Sequence, residues 1–311
     1  MERVTLAIDI GGTKTAAGLV SDKGQILLSS RRPVVQGSAR MLAESLQEQC
    51  RCLLQDASVK PASVGIGVKG LVNDRENRLV SSSILGGPQH DDLRKILEDS
   101  LGLPCAIDND VNAATLAEAA WGAGREHDTF VYVNVGTGTA IGIYDRGRLV
   151  RGAVNTCGEI GEMLISLPGE SRLFFLENVA SGKGLSDEAY RLASGYPSSV
   201  LQTAMKESSR ICASEIFAAA RNRDPLACRV IQHACLALTV AMIQLEAVTG
   251  AGLYVFGGGV ISDPLIFDSI LGSVPDMCKK YSLPFTFRMR ISALGAADAG
   301  LLGAAMLGFS C

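Results

Sequence analysis

The chain has 311 residues, 47% of them hydrophobic and 20% charged, with 29 Lys and Arg against 32 Asp and Glu for a formal charge of −3. This composition excludes a disordered chain, and the lack of a basic excess argues against nucleic acid as a partner. The length predicts two domains, or one large domain built twice, with about 75% of the unfolded surface buried and no need of a disulfide or metal staple.

In chain order, residues 4–10 read as a buried strand. Strands at 16–20 and 26–32 follow, joined by Ser21-Asp22-Lys23-Gly24, so three consecutive strands form an antiparallel meander. Residues 39–56 carry Met41, Leu42, Leu46, Cys50, Leu53 and Leu54 at helical spacing. A short strand at 63–68 precedes a Gly- and Ser-rich segment that runs to Pro88 with no predicted element. A helix near 91–101, a strand at 104–107 and an alanine-rich helix at 111–121 come next. From Thr129 the pattern of strand, glycine turn, strand, turn, strand returns (FVYVNV, GTGTAIGIY, DRG, RLV), a candidate internal repeat. Helices are predicted at 178–193, 211–221, 225–248, 264–280 and 296–309. A strand at 253–256 ends in Gly257-Gly258-Gly259. The fold class is α/β in two lobes, each with a mixed sheet.

Nine cysteines lie at 50, 52, 105, 157, 212, 228, 235, 278 and 311, with no C-x-x-C pair and only three histidines, so spacing gives no metal-ligand cluster. No signal-peptide apolar region opens the chain. No uninterrupted apolar stretch reaches the about 20 residues of a membrane helix, since Gln232, His233, Gln244 and Glu246 interrupt the run at 225–248. A reduced, cytoplasmic protein without a membrane partner is expected.

The strongest chemical signal is Asp9-Ile10-Gly11-Gly12-Thr13-Lys14 at a strand end. Two glycines let the backbone approach a phosphate, and their N–H groups form an anion nest. Thr13 and Lys14 add a hydroxyl and a cation, and Asp9 is placed to hold Mg²⁺, through water, because hard cations prefer carboxylate oxygens. The plain alternative is a hairpin turn with an incidental lysine. A second turn, Gly136-Thr137-Gly138-Thr139, also joins two strands, and two such turns facing one another would clamp the β- and γ-phosphates of a nucleotide. Gly257, Gly258 and Gly259 offer a flat surface for a base or ribose.

D-I-G-G-T-K at 9–14, D-N-D-V-N-A-A at 108–114, G-T-G at 136–138, G-E-I-G at 158–161, L-E-x-x-x-S-G at 176–182 and G-G-G-V at 257–260 occur in that order over nearly the whole chain. The set resembles the ROK family of sugar kinases and related repressors, within the actin-like ATPase superfamily. The resemblance implies two actin-like (ribonuclease H-like) lobes of mixed sheets flanked by helices, with a cleft for sugar and ATP. The lobes are expected at 1–120 and 121–294, a C-terminal helix at about 295–311 packing back on the first. It makes Asp110 the catalytic base and Asn109 its sugar-binding neighbour, whereas the plain reading of Asp110 is a helix N-cap. Glu159 and Glu177 match two carboxylates that hold sugar hydroxyls, and a homodimer or homotetramer is implied.

The chain departs from the family in four places. A histidine usually follows the first glutamate by three residues, ahead of a C-x-C-G-x-x-G-C cluster binding structural zinc. Here Glu162 stands at the histidine position, the cysteines are missing, and Leu173, Phe174 and Phe175 are expected to pack in place of the metal, so no zinc site is predicted. Either the substrate presents an amino group or another donor to Glu162, or Glu162 turns outward or pairs with an arginine such as Arg172. Ser83 aligns with an asparagine that contacts sugar. Lys69, in G-V-K-G where the family usually has proline, either approaches the cleft or faces water.

These readings imply an ATP- and Mg²⁺-dependent carbohydrate kinase acting on a hexose-like hydroxyl such as O6. Two rivals differ in class. A family repressor would carry a winged helix-turn-helix ahead of the phosphate motif, which here begins within four residues of the start. A catalytically weakened sugar sensor would keep the sugar site without turnover.

Overall fold

The computed structural model describes residues 3–207, 210–295 and 298–311. The chain divides into two compact units, one holding the residues up to Tyr132 with Gly142–Cys157 and Ser292–Cys311, the other Val133–Ile141 and Gly158–Ile291.

Strands β1 (Val4–Ile10), β2 (Lys14–Ser21) and β3 (Ile26–Pro33) form the meander. Helix α1 (Ala39–Gln55) follows, its first turn capped by Ser38, which accepts from the Met41 N–H. Strand β4 (Val64–Val68) then joins β1 in parallel. The Gly- and Ser-rich segment is not structureless. It forms β5 (Leu71–Asn73), β6 (Arg78–Ser82) and β7 (Gly87–Pro88), a small sheet of strands too short to show a period, with a 3₁₀ turn at Ser83–Leu85. Helix α2 (Leu93–Leu101) starts at its Asp92 cap and stops at Gly102; β8 (Cys105–Asn109) and α3 (Asp110–Trp121) complete the run.

The first sheet has the order β3-β2-β1-β4-β8. Its central strands are buried on both faces, which is why β1 reads as a continuous apolar run, while the edge strand β3 alternates. One face packs Leu6, Ile8 and Ile66 against Leu42, Leu46 and Cys50 of α1. The other face carries small residues, Ala7 and Ala16, under the C-terminal helix and Ala117 of α3. That helix approaches so closely that a Cβ on Gly65 would lie 1.8 Å from the Ala304 carbonyl oxygen.

The second block repeats the plan. Strands β9 (Phe130–Val135), β10 (Thr139–Asp145) and β11 (Arg148–Val150) precede a short hairpin of β12 (Leu164–Ser166) and β13 (Leu173–Phe175). The predicted helix at 178–193 is two helices, α4 (Glu177–Ala180) and α5 (Gly182–Leu192). Ser181 breaks them: its backbone is extended, its Oγ donates to the Glu177 carbonyl and accepts from the Gly184 N–H. Then come α6 (Leu201–Glu207), which has no sequence signature of its own, α7 (Ala213–Arg221), α8 (Pro225–Thr249), β14 (Leu253–Gly257), α9 (Pro264–Lys280) and β15 (Arg288–Ile291). The last helix, α10, spans Ala299–Phe309; its predicted start at 296 lies outside the described residues. The second sheet is ordered β11-β10-β9-β14-β15, the same sequence of meander and crossover strands as the first. By length and composition α8 could cross a membrane, and 61% of its most apolar stretch is buried in this structure. All nine cysteines are free.

Candidate active site

In the first unit the candidate residues collect at the carboxyl edge of the sheet, the edge at which open α/β sheets bind ligands. Strands β1, β4 and β8 are mutually parallel, with Ile10 beside Val68 and Val68 beside Asn109. The chain leaves these strands as Gly11, Lys69 and Asp110, three neighbours in a row. Gly11 N–H donates to the Lys14 carbonyl at 3.0 Å and closes a hairpin whose tip is Gly12-Thr13. Thr13 and Lys14 are exposed.

Asp9 precedes this hairpin and lies against the first turn of α10. A Cβ on Gly300 would fall 2.4 Å from Asp9 Oδ2, so glycine is what lets the helix N-terminus meet the carboxylate. Burial, then the charge of Asp110, push the Asp9 carboxyl up to about 7, with Arg31 opposing. A carboxylate held this way beside a second one fits a hard divalent cation, which would need only one or two protein oxygens if phosphates and water supply the rest. Among the described residues no group of three or more His, Cys, Asp or Glu side chains gathers as a metal site.

The sign of the Asp9 shift gives a test. Its folded pKa lies above its unfolded value, so its contribution to stability is fully present below about pH 4 and is lost as pH rises through about 7. The melting temperature should carry a declining component over that window which Asp9→Asn removes. Added Mg²⁺ should raise the melting temperature at pH 8 and not at pH 5, where the carboxyl holds its proton. Differential scanning calorimetry across pH reads both.

At the β8–α3 junction the N-cap is Asn109, not Asp110. Asn109 Oδ1 accepts from Val111 N–H at 2.8 Å and Asn112 N–H at 3.2 Å, and its Nδ2 donates to the Gly70 carbonyl at 3.1 Å. One amide hydrogen remains for a ligand. Asp110, the first helical residue, shares the Val111 N–H with Asn109 through Oδ1 at 3.0 Å, and burial raises its pKa against the pull of Lys69 and that N–H. Beneath them Asp108 is almost fully buried. It accepts two bonds from Arg151, at 3.1 and 2.7 Å, and one each from Asn112 and Asn155, at 3.2 and 3.0 Å. Sequence reasoning passed over this network, because Arg151 and Asn155 lie more than forty positions beyond Asp108 and no motif joins them.

In the second unit the glycine clusters come together. Gly136 N–H donates to the Gly138 carbonyl at 2.9 Å, and the Gly136 carbonyl accepts from Gly182 N–H at 2.7 Å. Gly258, at φ +100°, has no room for a side chain: a Cβ would sit 2.5 Å from the Val135 carbonyl oxygen. Gly136 packs beside Gly258 and Gly259, so Gly136–Gly138, Gly258, Gly259 and Gly182 line one backbone surface. Gly182 joins this surface although its motif, L-E-x-x-x-S-G, carries no turn signal for phosphate. Glu177 is fixed on this surface, its Oε2 accepting from Thr139 N–H at 3.0 Å.

Glu159 precedes the 3₁₀ turn Ile160–Glu162 and Glu162 ends it; both are exposed, and Glu162 forms no ion pair with Arg172. The expected apolar replacement for the zinc loop is narrower than its three residues. Phe174 alone points inward, between the guanidinium groups of Arg172 at 4.5 Å and Arg191 at 5.1 Å, whereas strand alternation leaves Leu173 and Phe175 57% and 44% exposed. Ser83 is exposed on its 3₁₀ turn, and its neighbour Ser82 makes the structural bonds, donating to the Lys69 carbonyl at 2.6 Å.

Residues 5–309 match the ROK family. A β-glucoside kinase of Listeria innocua is 29% identical over 301 residues, covering 96% of this chain and 95% of that protein. An N-acetylmannosamine kinase of Citrobacter koseri is 29% identical over 308 residues, covering 97% and 98%. A ROK family glucokinase from Streptomyces griseus, solved with glucose and AMPPNP, matches at a TM-score of 0.81 and 26% identity over 99% of this chain and 100% of that one. The chain accordingly belongs to the ROK family and has the α/β actin-like fold of its kinases.

Proposed function

We propose that this protein transfers the γ-phosphate of ATP, with Mg²⁺, to a hydroxyl of a hexose or hexose derivative, O6, and that Asp110 is the general base. The enzyme class, an ATP-dependent sugar kinase, follows from the family and its kinase members. The acceptor atom and the residue roles are what is proposed. The observation that carries them is the position of Asp110. Asn109 caps the helix, so the Asp110 carboxylate spends only Oδ1 on it, accepting from the Val111 N–H at 3.0 Å, and stands at the edge two strands, or about 10 Å, from the Gly11–Lys14 hairpin.

In this reading Gly11, Gly12, Thr13 and Lys14 hold phosphate in the first unit, and Asp9 holds Mg²⁺ through water. When bound, the cation neutralises phosphate oxygens. In the second unit Gly136, Thr137 and Gly138 hold phosphate, and Gly257, Gly258 and Gly259 support the base or ribose. Asn109, Ser83, Glu159, Glu162 and Glu177 face the sugar, each carboxylate accepting from hydroxyls. The acceptor hydroxyl gives its proton to Asp110 as its oxygen bonds to phosphorus and the bond to ADP breaks. A raised Asp110 pKa makes it the stronger base once ionised. A cytoplasmic homodimer or homotetramer belongs to the same proposal.

The test is ADP release with Mg-ATP over hexoses, β-glucosides, N-acetylated and free amino sugars, and cyclitols. Turnover of one compound is expected, and a free amino sugar would show Glu162 meeting a donor. Silence throughout, with sugar binding still visible as a thermal shift, would replace the kinase by a sugar sensor.

A further inference from the structure

Strand β4 lies between β1 and β8, so the residue that follows it stands between the phosphate hairpin and Asp110. That residue is Lys69, and its backbone is pinned on three sides. Its N–H donates to the Ile10 carbonyl at 3.0 Å, its carbonyl accepts from Ser82 Oγ at 2.6 Å, and the next carbonyl, of Gly70, accepts from Asn109 Nδ2 at 3.1 Å. The side chain runs over the hairpin: its Cδ is 3.9 Å from where a Cβ on Gly12 would be. It is half-buried, and among the described residues its ammonium has no hydrogen bond or ion-pair partner. Its charge is nonetheless felt at Asp110, where it opposes the effect of burial.

A lysine held only by its backbone, with a free ammonium beside an anion nest, is arranged for a ligand that brings negative charge. With its Cδ beside Gly12, the side chain carries its ammonium within reach of a phosphate held at the hairpin tip. Lysine suits this as a compact point charge with three donors. Phosphoryl transfer leaves little covalent chemistry to the protein, so a fixed cation at the transferring group acts where charge redistributes.

We propose that Lys69 is a catalytic residue of this kinase, its ammonium contacting the γ-phosphate oxygens of ATP and stabilising the transferring phosphoryl group. The inference rests on reading the Gly11–Lys14 hairpin as the phosphate site. In this reading Lys69 exchanges no proton with Asp110. It supplies charge beside Gly12, whose N–H, unlike that of Gly11, the hairpin does not use.

The experiment compares Lys69→Met, Lys69→Gln and Lys69→Arg with the parent enzyme, with Asp110→Asn in parallel. It measures kcat, the KM for sugar and for ATP, and AMPPNP affinity by calorimetry with and without Mg²⁺. Lys69→Met and Lys69→Gln should lower kcat by about 10²-fold, in the range of losing one preorganised electrostatic donor. They should weaken AMPPNP binding, most clearly without Mg²⁺, and leave sugar affinity and melting temperature near the parent's. Lys69→Arg should recover part of both losses. Turnover and AMPPNP affinity within twofold of the parent in both neutral variants would overturn the inference, and with Asp110→Asn inactive would leave the base in place. Active Asp110→Asn beside inactive Lys69→Met would instead remove the base and keep Lys69. A loss of sugar affinity equal to the loss of AMPPNP affinity would make Lys69 a structural residue and overturn it as well.

Discussion

Asp110→Asn is expected to lower kcat by about 10³-fold, within the range of removing a positioned general base, while sugar affinity stays within a few-fold of the parent. The substitution keeps shape and the first-turn position of the side chain and removes its charge and its capacity to accept a proton. Stability should move little, and upward if at all. Ionised Asp110 is disfavoured by burial, and it raises Asp9 as a like charge, so a neutral isostere relieves both. Against that stands the lost attraction of a carboxylate to the α3 N-terminus, about 0.3–1 kcal/mol. The parent's kcat/KM should fall on the acid side with an apparent pKa above the ordinary carboxylate range, because activity needs the ionised form and the folded pKa is raised. Single-turnover rates, melting curves at pH 8 and a pH profile read the three effects separately. A variant that keeps turnover within tenfold would sink the assignment of the base.

What the sequence disclosed and what it withheld divide along physical lines. Turns that need glycine and follow apolar strands were legible, which is why Gly11–Lys14, Gly136–Gly138 and Gly257–Gly259 were found and why the repeat of strand, turn and strand matched a repeated sheet order. Caps were legible only to within one residue. Asp and Asn cap equally well; the sequence suggests Asp110, and the Asn112 N–H, which donates to Asn109 Oδ1 alone, places the cap one residue earlier. Short strands withheld themselves. The sheet at residues 71–88 uses strands of two to five residues, below the length at which alternation can be read. The break at Ser181 had a capping residue to announce it, but two adjoining amphipathic helices look like one. Lys69 was ambiguous because a lysine after a strand reads as solvent-facing; its meaning comes from the order in which β1, β4 and β8 lie side by side. Glu162, for which the sequence allowed a ligand donor, an outward turn or an arginine partner, is exposed beside Glu159 and unpaired with Arg172, because its position on the 3₁₀ turn is set by the backbone and not by its neighbours in sequence.

The second large effect concerns stability and the residue just before the candidate site. Asp108→Ala should cost about 3–5 kcal/mol, the usual penalty for removing one partner of a buried pair. The carboxylate is 3% exposed, and its removal strands a bidentate guanidinium and two amide groups at once. Asn155 is held at φ +57°, so the strand-to-loop connection it belongs to is fixed by that carboxylate and by the bond from Asn155 to the Val72 carbonyl. At about 2–4 °C per kcal/mol for a unit of this size, the melting temperature should fall by ~10 °C. Adding Arg151→Met to Asp108→Ala should recover a good part of the loss, since it removes the charge left without a partner. Two features limit the penalty: Arg151 is 29% exposed, and Asp74 lies 3.9 Å from it as a second carboxylate. A loss under about 1 kcal/mol, the worth of a surface pair, would mean that Asp74 and solvent take over the guanidinium. It would also mean that the loop bearing Asn155 is fixed by its own backbone. A full loss, with the acid limb of the residual activity unmoved, would separate the two neighbouring aspartates by function: Asp108 builds the edge on which Asp110 reacts.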